Sequence, residues 1–168
     1  WDFSLVDPDN RRAVDFGARE AALATLQKEW RADRGALIRS VLATPGDGRI
    51  KMLVTWRALT LRQEHAALFA RADYRPLAAQ GAFADHVIGL VRADRSGEVV
   101  ALVCRFSGDV ATPPAWPLGA AWQETRVDGV SPGRYRDAFT LREHTVDRTV
   151  SVRDVFGELP VALWEKIE

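Results

Sequence analysis

His86-Val87-Ile88-Gly89-Leu90-Val91-Arg92 and Val99-Val100-Ala101-Leu102-Val103-Cys104-Arg105-Phe106 are two β-rich runs joined through the polar, glycine-ending Asp94-Arg95-Ser96-Gly97. Branched side chains pack well on a pleated surface and are stiff elsewhere, so such runs favour strands. A polar stretch ending in glycine between two of them predicts a hairpin with a four-residue loop. Downstream, further strands are expected over 122–127, 134–141, 149–152 and 161–164, separated by turns bearing glycine and proline. Residues 108–119 are proline-rich and read as irregular. Short strands at these intervals favour an antiparallel sandwich.

Upstream of Tyr74 the pattern is helical. From Ala13 to Trp30 there is no proline, and Phe16, Leu23, Leu26 and Trp30 recur at helical spacing. Asp9 or Asn10 is the expected N-cap of this run, since a side-chain oxygen there can accept an unpaired first-turn N–H. A second helix is expected over Arg34 to Ala43, stopped by Thr44-Pro45-Gly46. Asp47 is expected to cap a third, with Ile50, Leu53, Val54 and Leu61 as its apolar stripe, and a last helical turn should run from Ala66 to Arg71. Tyr74-Arg75-Pro76-Leu77 reads as extended, because a proline ring pushes the preceding residue out of the helical region.

Composition excludes several classes of function. Lys+Arg and Asp+Glu number 23 each, a formal net charge of zero that supplies no field for nucleic acid or an anionic membrane. No apolar stretch approaches the roughly 20 residues needed to cross a bilayer. Cys104 is the single cysteine, which rules out an internal disulfide or a cysteine metal cluster, and its apolar neighbours mark it as a small hydrophobe rather than a nucleophile. His65, His86 and His144 lie far apart and lack the spacing of paired ligands, so no metal and no cofactor is expected. No signal peptide is read from the sequence, and a cytoplasmic location is the expectation. The chain opens at Trp1-Asp2-Phe3-Ser4-Leu5-Val6, apolar and without an initiator methionine, and so reads as cut from a longer polypeptide.

The densest polar constellation is Asp7-Pro8-Asp9-Asn10-Arg11-Arg12. Pro8 fixes its own φ and restricts Asp7, so the side-chain directions are partly set in advance. Carboxylates can accept from vicinal sugar hydroxyls, and a guanidinium can orient a carboxylate or donate to hydroxyls. Helix capping by Asp9 or Asn10, with mutual charge pairing, explains the same residues equally well. Among the tryptophans, Trp122, Trp30 and Trp56 are expected to be packing residues, and Trp116 among prolines has the setting of either filler or a sugar-stacking platform. Glu143-His144 and Asp147-Arg148 have the composition of a turn region.

The string from Trp1 to Arg12, followed by Val14-Asp15-Phe16, resembles the segment after the eighth barrel strand of maltooligosyltrehalose synthases, relatives of the α-amylases within glycoside hydrolase family 13. Gly48-Arg49-Ile50-Lys51, Ala58-Leu59 with Leu61-Arg62, Leu68-Phe69, and Tyr74-Arg75-Pro76-Leu77 with Gly81 resemble the same family in the same order, as do Pro117, Gly119 and Trp122, and the closing Leu159-Pro160-Val161-Ala162-Leu163. Ala13 departs from a usual proline, Phe139-Thr140-Leu141 lacks an expected Thr-Gly, and Trp164-Glu165-Lys166 extends the usual ending.

The resemblance implies an α+β chain. Residues 1–72 would be a helical segment from the end of a (β/α)8 barrel and its connector, and residues 73–168 a C-terminal antiparallel β-sandwich. It implies a parent that converts the reducing-end α-1,4 linkage of maltooligosaccharides to α,α-1,1, with the catalytic barrel as intramolecular partner. The catalytic carboxylates of that family sit on earlier barrel strands, so no catalytic residue is expected here. Asp7, Asp9, Asn10 and Arg11 are the expected substrate-binding residues, at the rim of the barrel. The competing expectation is a free-standing carbohydrate-binding or structural module.

Overall fold

A computed structural model of the chain describes residues 14–168. These form an α+β fold with antiparallel sheets, and they divide into two compact units at Leu59 and Thr60.

The first unit is helical. In α1 (Phe16–Ala32) the first-turn N–H of Ala18 is accepted by Asp15 Oδ1 at 2.8 Å, so Asp15 holds the N-cap position expected of Asp9 or Asn10. Leu26 is buried, whereas Phe16, at the first helical position, is 71% exposed and does not join the stripe. Asp33 caps α2 (Arg34–Ala43) through Ala36 N at 2.9 Å, and the helix stops before Pro45 as expected. A 3-10 turn over Pro45–Asp47 and a left-handed Gly48 redirect the chain into α3 (Arg49–Glu64). Asp47 Oδ1 accepts from Arg49 N at 2.9 Å, and the Arg49 guanidinium returns to Asp47 Oδ2 at 2.7 Å and to Ser40 and Thr44 at 3.0 Å. Ile50 and Leu53, from the expected stripe, are buried. On the same unit Trp30 and Trp56 meet edge to face at 5.5 Å, with the Arg57 guanidinium 4.4 Å from the Trp30 ring.

The second unit starts within α3 and continues through α4 (Ala66–Arg71) into nine strands: β1 (Tyr74–Pro76), β2 (Ala78–Gln80), β3 (Val87–Asp94), β4 (Gly97–Cys104), β5 (Arg126–Asp128), β6 (Gly133–Asp137), β7 (Glu143–Val146), β8 (Thr149–Ser151) and β9 (Val161–Lys166). Six of them form one sheet in the order β1-β3-β4-β9-β6-β7, and β2-β5-β8 form a second, with every pair antiparallel.

The β3–β4 hairpin is tighter than its composition suggests. Pairing runs from Val87↔Cys104 to Asp94↔Gly97, leaving only Arg95 and Ser96 in the turn. Asp94 Oδ1 accepts from Ser96 N at 2.7 Å and satisfies the turn locally, so the ladder can continue into the polar stretch. Gly89 faces the core of this hairpin: a Cβ there would meet Leu102 at 2.7 Å and Leu77 at 3.1 Å.

The strands expected over 122–127 and 134–141 are shorter than expected, whereas β9 runs on to Lys166. Trp122 closes a 3-10 turn (Gly119–Trp122) rather than opening a strand, and β5 begins only at Arg126. Its indole N–H donates to Pro117 O at 2.7 Å and its ring packs beside Phe156 at 5.2 Å, which makes it the buried core residue expected. β6 stops at Asp137, whose carboxylate captures the N–H groups of Phe139 and Thr140 and turns the chain. After that turn Glu143–Val146 pairs with β6, so Glu143-His144 form a strand, whereas Asp147-Arg148 make the bend between β7 and β8 as expected. β8 gives way to the short α6 (Val152–Val155), and the proline-rich segment includes α5 (Ser107–Val110).

Val91, Val100, Leu102 and Trp164 from the larger sheet and Val127 and Val150 from the smaller belong to one buried core, with Trp122 and Phe156. Residues of the larger sheet's other face form a second cluster, in which Val99 meets Leu61 of α3 and Leu68 of α4, together with Ala72 and Ala138. Arg92 pins the end of α4 by donating to the carbonyls of Phe69 and Ala72 at 3.3 and 2.7 Å, which satisfies acceptors the helix leaves open.

Candidate functional site

Asp7, Asp9, Asn10 and Arg11 lie outside the described residues. What borders them bears on their role. Since Asp15 caps α1, the helix does not call on Asp9 or Asn10 for its first turn.

Among the described residues, the polar grouping that most resembles a site lies in the second unit, where Asp137, Thr140, Arg142, His144, Asp154 and Glu158 line a small cleft. Asp137 is only 4% exposed, and burial pushes its carboxyl above the usual range against the pull of the Thr140 and Phe139 N–H groups. Its Oδ1 already accepts from Phe139 N, Thr140 N and Thr140 Oγ1 at 2.7, 2.9 and 3.2 Å. His144 stacks on Trp164 at 4.3 Å, and burial, then the charge of Arg142, holds its pKa down, which favours the neutral ring. Arg142 donates to Glu158 Oε1 at 3.1 Å. The free space is about 10 Å³, room for one water and not for a sugar ring. The cleft is therefore a fold-holding turn whose carboxylate is spent on its own backbone.

A second grouping ties α4 to the sheet. His65 Nε2 lies 2.7 Å from Glu165 Oε2, and Arg136 donates to Glu165 Oε1 through Nε at 2.9 Å and Nη2 at 2.6 Å. Burial alone would raise the Glu165 carboxyl, but the hydrogen bonds and charges of His65 and Arg136 together hold it below its usual range. In the core, Glu98 is 6% exposed and accepts from Tyr135 OH at 2.9 Å and from Ser131 Oγ at 2.6 Å. Burial first, then Glu98, raises the Tyr135 phenol. Sequence spacing could not find these groupings, because His65 and Glu165 meet only through the packing of α4 on β9.

The remaining candidates carry no chemistry. Cys104 packs against the core, and burial raises its thiol, which disfavours the reactive thiolate. His86 sits between the ring edges of Phe83 and Phe106, 4.0 Å from Asp109 Oδ2. No three His, Cys, Asp or Glu among the described residues are grouped to hold a metal ion. No described helix is long and apolar enough to cross a membrane.

The chain is similar to two curated proteins of Mycobacterium tuberculosis, from strains CDC 1551 / Oshkosh and ATCC 25618 / H37Rv, each named "Putative maltooligosyl trehalose synthase". Identity is 32% over 166 residues, which is 97% of this chain and 17% of each relative. The chain thus spans about a sixth of the length of these relatives, and the resemblance read from its motifs holds along nearly its whole length. No family model and no solved structure matches.

Proposed function

We propose that this chain is the C-terminal part of a (1→4)-α-D-glucan 1-α-D-glucosylmutase of glycoside hydrolase family 13. Such a cytoplasmic isomerase makes maltooligosyltrehalose for trehalose biosynthesis. The observation that carries the proposal is 32% identity sustained over 97% of the chain to proteins named as maltooligosyl trehalose synthases. The reaction is an intramolecular transglycosylation. The bond from anomeric carbon to O4 of the reducing-end glucose breaks as O4 takes a proton. The same glucose then turns, its O1 hydroxyl loses a proton, and a bond from the anomeric carbon to O1 forms. Atoms balance with no water consumed, so the site must exclude water while the glycosyl group is held.

The catalytic carboxylates belong to barrel strands outside this chain, and residues 1–168 alone are inactive. Residues 1–72 end the (β/α)8 barrel and connect it, and residues 73–168 form a β-sandwich from the two sheets that share the Trp122–Trp164 core. The compact units divide earlier, at Leu59, because the end of α3 and all of α4 share a core with Val99 and Ala138. The turn at Asp7, Asp9, Asn10 and Arg11 borders the maltooligosaccharide site. Support comes from Asp15, which holds the N-cap position of α1 that was expected of Asp9 or Asn10. The net charge of zero suits a neutral polyol and not nucleic acid.

In the longer polypeptide, Asp9→Ala and Arg11→Ala each lower kcat/KM for maltooligosaccharides by about tenfold or more, the loss of a charge-assisted hydrogen bond, with the melting temperature unchanged. Unaltered kinetics in both variants contradict the assignment of the turn. Binding of maltooligosaccharide by the 168-residue chain alone, at micromolar affinity in titration calorimetry, would instead favour a free-standing module.

A further inference from the structure

Two adjacent rungs of the larger sheet carry no charged side chain. Pro76, Leu90, Ala101 and Leu163 pair across β1, β3, β4 and β9 in one, and Ile88, Val103 and Val161 pair across β3, β4 and β9 in the other. Alternation puts both rungs on the face that carries Arg92 and Val99, opposite the core residues Val91, Val100 and Leu102. At the Val99 end this face is covered by Leu61, Leu68 and Phe69. Beyond that cover it is bare: Ile88 is 48%, Leu90 36% and Val103 37% exposed. β4 is paired on both sides from Val99 to Val103, while β1 reaches β3 only over Leu90, Val91 and Arg92 and β6 reaches β9 only over Trp164, Glu165 and Lys166. Over Leu90 and Val103 a partner therefore seats on side chains rather than adding a strand. A contiguous apolar patch in mid-sheet, on a face that elsewhere packs against a helix, marks an unfilled contact.

We propose that this face, over Ile88, Leu90 and Val103, seats an apolar segment of the longer polypeptide outside the 168 residues. The proposal rests on the reading of the chain as part of a synthase. Its occupant follows from continuity with the helix cover beside it, and from relatives in which all but 17% of the polypeptide lies beyond the matched region. Charged or sugar partners find no complementary group on either rung.

Thiol labelling tests it. Ile88→Cys in a Cys104→Ser background is treated with N-ethylmaleimide in the 168-residue chain and in the longer polypeptide. The chain is expected to label at the rate of an exposed thiol, and the longer polypeptide roughly tenfold or more slowly, as for a group that reacts only on local opening. A second variant, Val103→Asp, should lower the melting temperature of the longer polypeptide clearly more than that of the 168-residue chain, where only the strand position of a partly exposed residue is disturbed. Equal labelling rates, equal thermal effects, or protection already present in the isolated chain with a doubled mass by sedimentation overturn the proposal. So does a reading frame that adds nothing to the 168 residues. Assaying the same longer polypeptide separates the two claims. Protection without isomerisation of maltooligosaccharides sinks the proposed function alone, and isomerisation with an unprotected thiol sinks the docking face alone.

Discussion

Glu165 illustrates how a single carboxylate can hold an element that sequence neighbours do not contact. It receives His65 on one oxygen and Arg136 on the other, and its pKa lies below the ordinary value of 4.5. A carboxyl depressed on folding adds stability above its unfolded pKa and loses it as pH falls through the folded value. Glu165→Gln is therefore expected to cost roughly 1–3 kcal/mol near neutral pH, the range for a hydrogen bond to a charged group. In denaturant titrations of both proteins, that difference should shrink progressively below pH 4.5. A difference that does not change with pH would show that the contact is not ionic. Nothing in the sequence around either residue announces this clamp. By contrast, Asp47 was legible as a cap because that role is set by neighbours a few positions away, and Trp122 as core because its large apolar ring favours burial wherever the chain places it.

At the scale of elements, helix limits and strand pairing were legible to different degrees for a physical reason. α2 runs from Arg34 to Ala43 as its sequence implies, because Asp33 and Pro45 bracket it locally. Asp33→Ala is expected to cost about 0.5–2 kcal/mol through loss of the bond to Ala36 N, read as a lowered urea midpoint with the slope unchanged. β6 ended where the Asp137 carboxylate intercepted the backbone, and β7 was missed because its partner β6 supplies the pairing that its polar residues do not advertise. Gly89 is a case where the close approach of two leucines demands a hydrogen in place of a methyl group. Gly89→Ala should cost about 1–3 kcal/mol by overpacking against Leu102 and Leu77. An unchanged midpoint would mean that the hairpin has room the contacts deny.

On the scale of the whole molecule, the described residues hold their polar side chains in turns, clamps and caps, and leave a bare apolar face on the larger sheet. The charged opening turn, from which the candidate site was read, lies outside the described residues, so kinetics of its variants decide its role. The most direct measurement is the count of reducing ends when the longer polypeptide is incubated with maltooligosaccharides. Isomerisation to an α,α-1,1 linkage consumes one reducing end per turnover without shortening the chain, so reducing ends should fall while total glucose per molecule stays constant. A rise in reducing ends, the mark of hydrolysis, or no change at all would contradict the account.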